Sequence, residues 1–143
     1  MIKYPIEFSA KAKSQSGIDT NWQSESNGIR SSIAVPVEFE GPGNGLSPED
    51  LFNQALVNCF VATFKVYAEK SKLEFESLQA SSCLVVDLDD SKQPIMKTAK
   101  VIVQIIRPSN KEKAVLLANK AVRSGFILNS VKTNCQIEIS IVE

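Results

Sequence analysis

Histidine is absent from this chain. No Ser-His or Cys-His nucleophile pair, no His general base and no His-based zinc site can therefore be assembled from it. Cysteine is scarce and odd in number, three residues with no close pair, which suits a reducing compartment and not a disulfide framework. Net charge is missing too: sixteen basic and sixteen acidic residues cancel. That balance gives no strong electrostatic case for nucleic acid or an anionic membrane, and it does little to keep subunits apart. The longest apolar stretch is broken by Asp50, Gln54, Asn58, Lys65 and Glu69, so it is not a membrane span. Met1-Ile2-Lys3-Tyr4-Pro5 leads directly into alternation and predicts no signal peptide, and hence a cytoplasmic protein. There is no internal repeat, linker or low-complexity tract. The 143 residues, 43% hydrophobic and 22% charged, are expected to form a single domain, 1–143, with a real core.

What is present is organised around residues 41–72. A glycine-rich loop, Gly41-Pro42-Gly43-Asn44-Gly45, is expected to stop a strand at a sharp turn. It precedes a helix N-terminus and so could hold an anion, but it lacks the lysine and spacing of a P-loop and does not match a Rossmann fingerprint. Ser47 then offers an N-cap oxygen, Pro48 suits the first helical position, and Glu49 and Asp50 bring negative charge to the positive end of the helix. Ser47 and Asp50 have capping-box spacing, with Asp in place of Glu or Gln. The helix that follows is apolar nearly all round, apart from a thin seam at Asp50, Gln54 and Asn58, which predicts burial nearly all round. One strand layer cannot cover both sides of such a helix, so a second subunit is expected to cover the rest.

Elsewhere the pattern is mostly strand. Ile2, Tyr4, Ile6, Phe8, Ala10 and Ala12 alternate with polar residues, a half-buried first strand with Pro5 suggesting an edge. A second strand carries Ile18, Thr20 and Trp22, Asn27-Gly28 signals a hairpin, and a third strand runs through Ile29, Ile33, Val35, Val37 and Phe39. After the helix, strands are predicted over 75–87 and about 94–106. A second helix is predicted from a Ser109/Glu112 capping box to a C′ Gly125, and the closing strand carries Cys135, Ile137, Ile139 and Ile141 on one face. The order β-β-β-α-β-β-α-β indicates an α+β domain with a largely antiparallel sheet.

Chemistry has two candidate bearers. Cys59 reads either as a buried small hydrophobe or as a reactive thiol, and the residue alone favours the first. It lies roughly 16 Å into the helix at 1.5 Å per residue, beyond reach of the helix dipole. Glu49 reads as a charge favourable to that dipole. Ten residues of helix put it ~15 Å and roughly 80° from Cys59, so the two cannot touch within one chain. If both serve one site, Glu49 comes from a symmetry-related subunit, and a two-fold dimer carries two sites. Cys135 reads as core, and Cys83 as partly exposed with nothing nearby to mark it as reactive.

The glycine-rich loop, then Leu46-Ser47-Pro48-Glu49-Asp50-Leu51-Phe52, then Cys59-Phe60, resembles the osmotically inducible protein C (OsmC) and organic hydroperoxide resistance (Ohr) superfamily. The resemblance covers essentially the whole chain. It implies an OsmC-like fold with a long central helix, an intertwined homodimer, and a thiol peroxidase that reduces organic hydroperoxides at the dimer interface without cofactor or metal. Cys59 matches the peroxidatic cysteine, and Glu49 the carboxylate that helps hold an arginine near the thiolate. Two positions depart from the pattern. Gly125 stands in the register of the resolving cysteine, and Ile18 in that of the activating arginine, with Arg30 a weak substitute. The resemblance therefore implies a one-cysteine cycle, Cys59 to sulfenic acid with an external thiol reductant, with Phe52, Phe60 and Phe126 lining an apolar pocket. The alternative is a non-enzymatic homodimer of the same fold that binds a small apolar ligand between subunits.

Overall fold

The computed structural model describes residues 1–143 as two compact units, Met1–Leu51 and Phe52–Glu143. In the first, β1 (Ala10–Lys13), β2 (Trp22–Ser26) and β3 (Ile29–Ile33) form an antiparallel sheet in chain order. Asn27 and Gly28 both have positive φ, 54° and 73°, as a type I′ hairpin requires. The first strand is shorter than its alternation suggests. Ala10 pairs with Ser26, the last residue of β2 before the hairpin, so residues 1–9 have no backbone to pair with, and Tyr4, Ile6 and Phe8 stay exposed. Ile18 and Thr20 likewise fall in the preceding turn, and β2 begins only at Trp22.

β3 stops at Ile33 instead of continuing to Phe39. Proline has no N–H for a ladder, and the Pro36 carbonyl accepts from both Phe39 N and Gly41 N, which folds Val37–Phe39 into one 3-10 turn. The chain then returns beside β3, with Leu46 N donating to Ser32 O (3.0 Å) and Ala34 N to Leu46 O (2.9 Å). The glycine loop is a packing device: a Cβ at Gly41 would lie 2.1 Å from Val35 O, and one at Gly45 2.9 Å from Ser32 O.

Helix α1 (Pro48–Lys70) starts in this unit and continues into the next. Its capping box closes on both sides: Asp50 N donates to Ser47 Oγ (3.0 Å) and Ser47 N to Asp50 Oδ2 (2.9 Å). Ser47→Ala leaves the Asp50 N–H unsatisfied and is expected to cost about 1 kcal/mol, read as a lower denaturant midpoint at unchanged slope.

The second unit places β4 (Ser77–Leu88), β5 (Pro94–Ile106) and β6 (Asn134–Val142) in that order, with α2 (Lys111–Ser124) between the last two strands. β4 and β5 are antiparallel, whereas β5 and β6 are parallel because α2 crosses over between them. Ala99, Val101, Val103 and Ile105 alternate inward as the sequence predicts, each at most 1% exposed. Phe60, Phe64 and Ala68 of α1 and Ala114, Leu117, Ala118 and Ala121 of α2 complete the core. The cap of α2 is not Ser109 but Asn110, whose side chain accepts from Lys113 N; Ser109 Oγ accepts from Glu74 N instead. Nor is α1 covered all round: Leu51, Gln54, Asn58, Ala62, Lys65, Val66 and Glu69 form an exposed stripe along it.

Candidate functional site

Cys59 is on the buried side of α1, 8% exposed, directly before Phe60. Two polar ties fix the helix around it. Asn53 Nδ2 donates to Ser82 O (3.1 Å) while Ser82 Oγ donates to Asn53 Oδ1 (2.6 Å), which anchors α1 to β4. Further along, Tyr67 and Ser124 share a hydroxyl–hydroxyl bond of 2.6 Å that holds the end of α2 against α1. Neither tie leaves a periodic signal, so the sequence did not disclose them.

The residue after Ser124 is Gly125, expected as a left-handed C′ residue. Its φ of −63° and ψ of 126° are extended and open to any side chain. What demands glycine is the neighbour: a Cβ there would lie 2.9 Å from Cys59 Sγ. A disulfide with an S–S bond of about 2.05 Å sets each Cβ about 3 Å from the opposite sulfur. Gly125→Cys is therefore expected to form an internal disulfide with Cys59 with little backbone movement, detectable by peptide mapping without reductant. Gly125→Val, with no such bond to make, should clash and lower stability.

Cys135 was expected in the core. It is half-buried, on the β6 face shared with Ile137, Ile139 and Ile141. Burial pushes its thiol pKa up, and the negative charge of an ionised Cys59 pushes it further in the same direction. Cys83 is exposed. Of the three aromatics expected to line a pocket, Phe60 is turned fully into the core, stacked on Phe64, and Phe126 is 67% exposed.

Glu49 occupies the first turn of α1, and Cys59 lies ten residues further along the same helix. The structure does not bring them together: ten residues of α-helix rise ~15 Å. Glu49 Oε2 is buried without a hydrogen-bond partner. None of the ion pairs includes Glu49, and Arg30 is taken by Glu25. No metal-binding cluster of His, Cys, Asp or Glu is present, and no helix is long and apolar enough to cross a membrane.

The profile of the OsmC-like protein family matches residues 41–140. The chain belongs to the OsmC-like family. The match takes in Glu49, Cys59, Gly125 and Cys135. Among relatives in sequence, the uncharacterized protein YmaD of Bacillus subtilis is 28% identical over 119 residues, covering 80% of this chain and 79% of that protein. The OsmC-like fold recurs in an OsmC-like protein of unknown function from Vibrio cholerae, with a TM-score of 0.83 at 19% identity, covering 95% of this chain and 100% of that one. It also recurs in an organic hydroperoxide resistance protein OsmC from Legionella pneumophila, with a TM-score of 0.69 at 22% identity, covering 99% and 100%.

Proposed function

We propose that this OsmC-like protein is a thiol-dependent peroxidase that reduces organic hydroperoxides at Cys59. The observation that carries the reading is the approach of Gly125 to Cys59 Sγ, where a Cβ would stand 2.9 Å from the sulfur. This supports the register in which residue 125 takes the place of the family's resolving cysteine, and with it Cys59 as the peroxidatic one. The Cys59 thiolate attacks the O–O bond, an alcohol leaves, and the sulfur becomes a sulfenic acid. Residue 125 carries no thiol, so the electrons come from an external thiol reductant.

The working unit in this reading is a homodimer. Three features support it: the exposed stripe on α1, the uncovered Tyr4, Ile6 and Phe8, and the unpartnered oxygen of Glu49. A buried acceptor left unsatisfied costs about 1–3 kcal/mol, which a donor from a second subunit would recover. Glu49 would then act in the partner's site, as its separation from Cys59 within one chain demands.

Stopped-flow mixing with tert-butyl hydroperoxide, with mass spectrometry at Cys59, tests the proposal. Oxidation well above the rate of free cysteine at the same pH is expected. A rate no faster than free cysteine sinks it and leaves the non-enzymatic binder of a small apolar ligand as the surviving account.

A further inference from the structure

The loop that follows α2 is tied down where it meets the Cys59 sulfur. Gly125 is buried, and the place that a Cβ there would take is already crowded by Cys59 Sγ at 2.9 Å and Leu128 Cδ1 at 3.4 Å. The glycine backbone therefore lies against the sulfur, and Cys59 is left 8% exposed. Asn129 holds that backbone. Its N–H and its Nδ2 both donate to Gly125 O, at 3.0 and 2.7 Å, and Nδ2 also donates to Arg123 O at 3.0 Å. The side-chain amide carries two hydrogens, one for each carbonyl. Arg123 O belongs to the last turn of α2, whose carbonyls no N–H of the helix can reach. One amide thus joins the end of α2 to the residue that covers the sulfur. On the other side, the Tyr67–Ser124 bond ties the residue before Gly125 to α1, the helix that carries Cys59.

We propose that Asn129 is a positioning residue that latches Gly125 over Cys59 and so guards the Cys59 sulfenic acid against a second oxidation. The inference rests on the hydroperoxide reading above and adds a control of access to the same sulfur. In a one-cysteine cycle the sulfenic acid persists until an external thiol arrives. During that wait a second hydroperoxide can pass one oxygen to the sulfur. The sulfur loses two further electrons and becomes a sulfinic acid, while the hydroperoxide leaves as the alcohol. Ordinary thiols do not reverse that step, so each such event removes one molecule from the cycle. A backbone held against the sulfur limits the directions from which the second hydroperoxide can approach.

The latch is particular to position 129. Ser130 ties the same loop through other bonds, Oγ to Phe126 O at 2.6 Å and N to Ile127 O at 3.0 Å, and neither reaches Gly125. Asn129→Asp keeps the side-chain shape but turns a carboxylate oxygen toward two carbonyls. Asn129→Ala removes the group altogether. Losing one net hydrogen bond shifts a local opening equilibrium by about fivefold.

The test labels the full-length protein with iodoacetamide and resolves the three cysteines by peptide mass spectrometry. Exposed Cys83 is the reference in each sample, and half-buried Cys135 reports wider unfolding. Asn129→Asp and Asn129→Ala are expected to raise Cys59 labelling relative to Cys83 by at least about fivefold and to leave the Cys135 ratio unchanged. Both should also increase the sulfinic fraction at Cys59 under a fixed excess of tert-butyl hydroperoxide. Ser130→Ala should match the natural protein in all three readouts. Cys59 labelling unchanged in both Asn129 variants overturns the inference. A rise that Ser130→Ala reproduces, or that Cys135 shares, overturns it too, because position 129 would then only stabilise the fold. Faster labelling without more sulfinic acid overturns the guarding role. Cys59 of the natural protein oxidised no faster than free cysteine removes the hydroperoxide reading and the guarding role with it, while the labelling result still decides the latch.

Discussion

Cys59→Ser is expected to lower organic hydroperoxide reduction at least about a thousandfold, because a serine hydroxyl offers no comparable nucleophile near neutral pH. That corresponds to about 4 kcal/mol of lost transition-state stabilisation. The fold should survive the change. The site is buried, so the new hydroxyl needs a partner, and a serine within a helix can bond back to the carbonyl four residues earlier. A stability loss of about 1 kcal/mol is therefore expected beside the loss of activity. Initial rates with tert-butyl hydroperoxide and a dithiol reductant measure the first, and a denaturant titration the second. Retained activity would remove Cys59 from the chemistry. Cys83→Ser, at an exposed position on β4, supplies the control that should match the natural protein.

Phe64→Ala is expected to have the largest effect on stability. Phe64 is fully buried, stacks on Phe60 with ring centroids 5.9 Å apart, and meets Phe75 at 5.5 Å and 56°. Truncation removes both aromatic contacts and leaves a cavity between α1 and the sheet, a change that costs about 3–5 kcal/mol. Domains are held together by only about 5–15 kcal/mol, so a large share of the total is lost, and the melting temperature should fall by on the order of 10 °C. Cys59 directly precedes Phe60, the ring on which Phe64 stacks, so peroxide reduction should decline at temperatures where the variant is still folded. A melting temperature within a degree or two of the natural protein would show that the α1–sheet contact is not the main core.

These two effects are unequal tests of what the chain reveals. The stability effect was legible early. Inward alternation of Ala99, Val101, Val103 and Ile105, and the Ser47-Pro48-Glu49-Asp50 start of α1, are local signals written in side-chain period and cap chemistry, and both are realised. Strand ends were less legible, because a strand's length depends on what lies opposite. β1 begins where β2 runs out, and β3 ends where Pro36 redirects the backbone into a turn. No single segment's pattern contains that information.

The sequence by itself determined the element order, the α+β class, the capped start of the long helix, and the exclusion of histidine-based chemistry, because these follow from residue type and local period. Tertiary structure alone decided that Gly125 is set against the Cys59 sulfur, that Cys135 is only half-buried, and that Glu49 has a buried oxygen with no partner. Each depends on distances between segments many tens of residues apart. Such distances are set by how helices and sheet pack, and no window of sequence reports them.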